Sequence, residues 1–188
     1  MPSTRSLARV GSVAVPVVAA LSLAGLAAAQ SPVADADLGV RLATQFVGGF
    51  LVNLVLAGLL VLLAPSYARR TVGAIRDDPG SAFLWGLLVG IAVPIGLVLL
   101  AFTIIGLLIT IPGLIALAIL GVVGNAVAVC WFGGLLTGGD VDGAAVGAGA
   151  LVFAVLGVVP IVGTLATTLL SFLGLGVVGR DLYTSWQG

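Results

Sequence analysis

Three stretches of this chain, residues 44–64, 83–105 and 114–136, each run for over 20 residues without a charged side chain. No other feature constrains the fold as much. A helix rises about 1.5 Å per residue, so about 20 apolar residues cross the hydrocarbon core of a bilayer. Two shorter apolar runs follow, at 143–159 and 162–178, close to the lower limit of about 17 residues for a span. They fit either full spans or a tilted or re-entrant hairpin. Composition argues against a soluble alternative. Hydrophobic residues make up 61% of the 188 and charged residues only 7%, whereas soluble domains carry about a quarter charged. The expected fold is an all-α, polytopic transmembrane helix bundle. It has five helices after a signal peptide, or six if that segment is retained.

The N-terminus carries the signal pattern. Arg5 and Arg9 precede an apolar stretch that ends at Ala27-Ala28-Ala29, and Gln30-Ser31-Pro32 follows. This is a charged region, an apolar region and a small-residue cleavage site. Residues 1–29 are therefore read as a signal peptide, with an uncleaved anchor helix as the alternative. Residues 30–43 form a short polar linker outside the cytoplasm. Its Asp35 and Asp37 are two carboxylates without further ligands, which is the pattern of a solvated loop rather than a cation site. Residues 44–180 are the bundle and 181–188 a cytoplasmic tail.

The connections alternate in charge. Residues 65–82 hold Arg69, Arg70, Arg76, Asp77 and Asp78, and residues 137–142 hold Asp140 and Asp142. The turns expected at Thr110–Gly113 and Val159–Gly163 have no charge. Arg-rich connections stay on the cytoplasmic side. That places 65–82 and the C-terminus in the cytoplasm of a multi-pass cell-membrane protein and agrees with export of residues 30–43. Arg69, Arg70 and Arg76 set this topology or meet lipid headgroups. Residues 66–76 read slightly better as an ordinary loop than as an interfacial helix in which Tyr67, Val72 and Ile75 touch lipid. Asp78-Pro79 looks like a helix start, and Pro112-Gly113 and Pro160 look like turn residues. Pro94, inside the second span, should kink it by removing one backbone donor and crowding the previous turn.

The chain lacks the chemistry of most enzymes. It contains no His, Lys or Glu, and no Asp or Arg falls within an expected span. Ser171, Thr164, Thr167 and Thr168 have no base to activate them, and no phosphate-binding loop is present. Cys130, the single cysteine, lies in an apolar run. Net charge is zero, so there is no basic surface for nucleic acid. The reading is a non-enzyme without catalytic, cofactor or metal residues.

Two polar residues lie inside the expected spans. Asn53 and Asn125 each follow a glycine by one turn, Gly49 and Gly121, on helices expected to run in the same direction. An interhelical amide contact is the favoured reading, pairing Gly49, Asn53 and Ala57 with Ala118, Gly121, Asn125 and Ala128. A polar pathway or ligand pocket is the alternative. Further small-residue pairs occur at Gly86/Gly90, Gly134/Gly138 and Gly143/Gly147. Trp85, Trp131, Trp186 and Tyr183 read as an interfacial aromatic belt.

Several short patterns occur in a telling order: Leu60-Val61-Leu62-Leu63-Ala64-Pro65, Arg69-Arg70, Pro79-Gly80-Ser81, Gly86-Leu87, Thr103-Ile104-Ile105-Gly106, Ile111-Pro112, Pro160-Ile161-Val162-Gly163 and Gly174-Leu175-Gly176. Over about residues 45–180 the chain resembles the membrane region attached to bactofilin-type polymer-forming proteins. The resemblance implies a membrane scaffold or anchor linked to cytoskeletal or envelope polymers. It departs from that family in one respect, because these 188 residues contain no counterpart of the β-helical polymer-forming domain. The implied polymer is then a separate chain. The expected partners are the lipid bilayer and a further copy or a polymer-forming protein. The alternative function is a small membrane transporter or channel component.

Overall fold

A computed structural model describes residues 37–187 of the chain. The expected signal peptide and residues 30–36 lie outside the described residues. The chain divides into two compact units, Met1–Gln45 and Phe46–Gly188. What is described of the first is the start of a helix, braced where the Thr44 hydroxyl donates to the Val40 carbonyl at 2.8 Å.

The described residues form helices joined by short connections, with no strand among them. Helix α1 covers Leu38–Leu63, α2 Pro65–Asp77 and α3 Pro79–Leu87. A π-helical turn at Leu88–Ala92 leads into α4, Val93–Ala101. Helices α5 (Ile104–Thr137), α6 (Gly143–Val158) and α7 (Pro160–Gln187) complete the chain. Among the described residues, four helical stretches are long and apolar enough to cross a membrane: Leu38–Leu63, Pro79–Ala101, Ile104–Thr137 and Ile161–Ser185. Helix α6 is apolar but has only 16 residues.

Several boundaries differ from the sequence reading. Helix α1 starts at Leu38, inside the stretch read as a polar linker. The turn expected at Thr110–Gly113 lies instead at Phe102–Thr103, and Pro112 sits within α5. The local chemistry explains the shift. The Thr103 hydroxyl accepts from the Gly106 amide at 2.9 Å and caps the start of α5, which a Thr does well. Pro112 is in the third turn of that helix. The Thr110 hydroxyl bonds the carbonyls of Leu97 (2.9 Å) and Gly106 (2.8 Å), tying α5 to α4. The last apolar segment is not thin: α7 has 28 residues and runs unbroken through the expected tail.

Residues 65–77 are a helix and not an ordinary loop. Its apolar residues Val72 and Ile75 are buried in the protein core rather than held at lipid. Pro65 starts it, and Asp78 ends it and caps α3, its Oδ1 accepting from the Ser81 amide at 2.9 Å. Pro94 follows the π-helical turn, whose Val93 amide reaches back to the Leu88 carbonyl. The extra residue in that turn accommodates the missing donor and the bulk of the proline ring.

The core lies toward the end of the bundle that carries α2. Val72 and Ile75 pack there with Val127–Cys130 of α5, Val146, Ala150 and Phe153 of α6, and Val177 and Val178 of α7. Toward the opposite end the apolar side chains point outward, with Phe102 84% and Ile104 94% exposed. Such a surface suits hydrocarbon and not water.

Candidate functional site

The functional candidates of this chain occupy two places, an amide pair within the spans and the charged end of the bundle. The structure brings Asn53 and Asn125 together. The Asn125 Nδ2 donates to the Asn53 Oδ1 at 2.8 Å. Asn53 Nδ2 donates to the Gly49 carbonyl of its own helix at 2.9 Å. Ser171 of α7 donates its hydroxyl to Asn125 Oδ1 at 3.3 Å. One node thus ties α1, α5 and α7. Without water, each of these groups needs a protein partner, and these groups supply one another.

The helix contacts around the node are not all those the sequence suggests. Ala57 is fully buried, with Cys130 Sγ 4.0 Å from its carbonyl. Gly121, however, faces open space, as do Gly143 and Gly147. The tight crossings lie elsewhere. A Cβ at Gly174 would overlap the Gly124 carbonyl, one at Gly176 the Ala82 carbonyl, and one at Gly149 the Val129 carbonyl. Helices α5–α7, α3–α7 and α5–α6 therefore meet at backbone contact. Gly86 and Gly90 do lie at a crossing, against Phe172. Gly138 serves a turn, with φ 99° in the left-handed region.

A recess of about 280 Å³ opens beside the node. Its lining is mainly apolar, from Gly121, Phe172 and Leu175, with polar groups from Asn125, Ser171, Thr167 and Thr168. The Thr167 hydroxyl is already bonded to the Gly163 carbonyl at 2.8 Å.

At the charged end, three arginines brace the connections. Arg70 pairs with Asp181 at 2.9 Å and lies 5.4 Å from the centre of the Tyr67 ring. Arg76 donates to the Gly139 carbonyl at 2.7 Å. Arg180 donates to the Ser81 hydroxyl at 3.2 Å. Burial, helped by the nearby Asp181 carboxylate and opposed by Arg70, pushes the Tyr67 phenol up to about 12. Trp85 and Tyr183 pack with ring centres 5.2 Å apart. Trp131 instead points its indole nitrogen into the protein, where it finds no partner among the described residues. None of these braces has a sequence signal, because each joins residues at least 63 positions apart. Among the described residues no three metal-binding side chains gather.

The family model of a domain of unknown function spans residues 1–187. The chain belongs to the DUF8173 family. No curated protein and no solved structure matches it. This DUF8173 chain combines helices apolar enough for a membrane with a shared polar node and a braced charged end.

Proposed function

We propose that this protein is a non-enzymatic integral membrane scaffold or anchor. The observation that carries the reading is the node of Asn53, Asn125 and Ser171. Its amides are spent on one another and on the Gly49 carbonyl, while the surrounding helices meet at backbone contact. An arrangement of that kind favours a fixed shape over a moving pathway. The bundle crosses the cell membrane five times, with residues 30–43 outside and 65–82 and the C-terminus in the cytoplasm. Arg69, Arg70 and Arg76 support that orientation. The anchored partner is a separate polymer-forming chain of the bactofilin or envelope kind, or a second copy.

The test is a cross-linked pull-down from native membranes in mild detergent, read by mass spectrometry. Reproducible capture of a protein with a polymer-forming domain supports the reading. Recovery of the protein alone sinks the anchor version.

A second reading, a small transporter or channel component, is favoured by the recess beside Asn125, whose largely apolar lining includes the polar side chains of Asn125, Ser171, Thr167 and Thr168. Cysteine placed at Gly121, which faces open space in that recess, discriminates the two. Rapid labelling by a water-soluble thiol reagent in membranes supports a wet pathway, and protection supports the scaffold.

A further inference from the structure

A groove of about 620 Å³ runs along the charged end of the bundle. One wall is α2, which contributes Arg69 and Arg76, two turns apart on one helix face, with Gly73 between them. No atom of another residue would meet a Cβ at Gly73 within 4 Å, so the wall is open at its middle. The opposite wall is the connection between α5 and α6, which contributes Asp140 and Asp142. The floor is apolar, made by buried Val72 and Val141.

The two walls carry opposite charges that do not close on each other. Among the described residues the one ion pair is Arg70–Asp181, so neither groove arginine reaches either carboxylate within 4.0 Å. They are also held in place. Arg76 is bonded to the Gly139 carbonyl at 2.7 Å, and the Gly139 amide to the Gly134 carbonyl at 2.7 Å. Val141 is buried, and Asp142 Oδ1 accepts from the Ala145 amide at 2.8 Å. Asp140 therefore sits between anchored neighbours and lines the same groove as Arg69 and Arg76, with which it forms no ion pair.

We propose that this groove binds a phospholipid whose headgroup carries a primary ammonium. The inference rests on the chain being a membrane protein and holds whether or not a partner chain docks. Helix α2 lies between two spans, and the Asp140 connection joins the next two helices, so the groove falls at headgroup level. A phosphate suits the guanidinium groups as a charge-assisted hydrogen-bond acceptor. An ammonium with N–H groups suits Asp140. The groove carries two positive and two negative side chains, so it favours a zwitterion. A purely anionic headgroup meets Asp140 and Asp142 as like charges, and a quaternary ammonium has no N–H to donate. The apolar floor suits the glycerol end of the molecule.

The experiment is native mass spectrometry of the full chain titrated with phosphatidylethanolamine, phosphatidylcholine and phosphatidylglycerol of identical acyl chains. Phosphatidylethanolamine should bind about tenfold more tightly than the other two, the size of one charge-assisted hydrogen bond. Asp140→Asn should erase the preference over phosphatidylcholine, and Arg69→Gln should weaken all three lipids. Arg70→Gln, whose side chain pairs with Asp181, should leave the preference intact. Arg69 and Asp140 are exposed, and matched thermal transitions confirm that the variants fold. Equal retention of phosphatidylethanolamine and phosphatidylcholine, a preference for phosphatidylglycerol, or a preference that survives Asp140→Asn overturns the proposal.

Discussion

Asn125 and Asn53, 72 positions apart in the chain, share a hydrogen bond of 2.8 Å between α5 and α1. Each amide meets part of the other's hydrogen-bonding need within apolar helices. Replacing either one leaves its partner with an unmet group. Asn53→Leu and Asn125→Leu should therefore each lower stability, and the double variant should lose less than their sum. The expected coupling is about 0.6–2 kcal/mol. Unfolding in mixed micelles measures it, and strict additivity would mean the contact carries no energy.

The glycines divide by what a methyl group would meet. Gly124 and Gly174 touch across the α5–α7 crossing, whereas Gly147 faces open space. Gly174→Ala should force the helices apart and cost about 1–3 kcal/mol. Gly147→Ala should be neutral or stabilise by up to about 1 kcal/mol, because alanine is the better helix residue. Thermal stability in detergent separates the two. Equal effects would show that backbone contact at Gly174 does not hold the crossing.

Tyr67 predicts an alkaline limit. Its phenol is held neutral, with its pKa raised from 10.0 to about 12, chiefly by burial. A group raised in the folded state stabilises fully below its unfolded pKa and loses that contribution as pH climbs through the folded value. The loss should fall between about pH 10 and 12. Tyr67→Phe should flatten stability across that window and change little at neutral pH. A wild-type profile that tracks the variant's would exclude Tyr67 as the cause.

The Arg70–Asp181 pair is exposed on both sides, 65% and 40%. Exposed pairs contribute about 0–1 kcal/mol and weaken with salt. Arg70→Gln should thus cost less than about 1 kcal/mol, and less again in high salt. A larger loss would mean that Arg70 acts through the Tyr67 ring or through a partner.

How much of this was legible beforehand varied with the physics of each feature. Long charge-free runs marked the helices of the bundle, because hydrocarbon admits little else. Asn53 and Asn125 stood out for the same reason, as polar residues in apolar runs. Pro112 misled: a proline beside a glycine reads as a turn, yet Thr103 offered a better helix start nine positions earlier. The basic segment 65–77 also misled. Its three arginines suggest a solvated loop, while its Val72 and Ile75 pay attention only to a core formed by distant helices.

The sequence by itself determined that this chain is helical and apolar enough for a membrane, which segments hold its apolar helices though not where each begins and ends, and which residues inside them are polar. Those properties depend on neighbours along the chain and on solvent. The tertiary structure alone decided which glycines touch, which arginine reaches Asp181, that Ser171 joins the amide pair, and that Arg69 and Asp140 line one groove. Each of these depends on residues brought together from distant segments, and no local pattern records how two helices will cross.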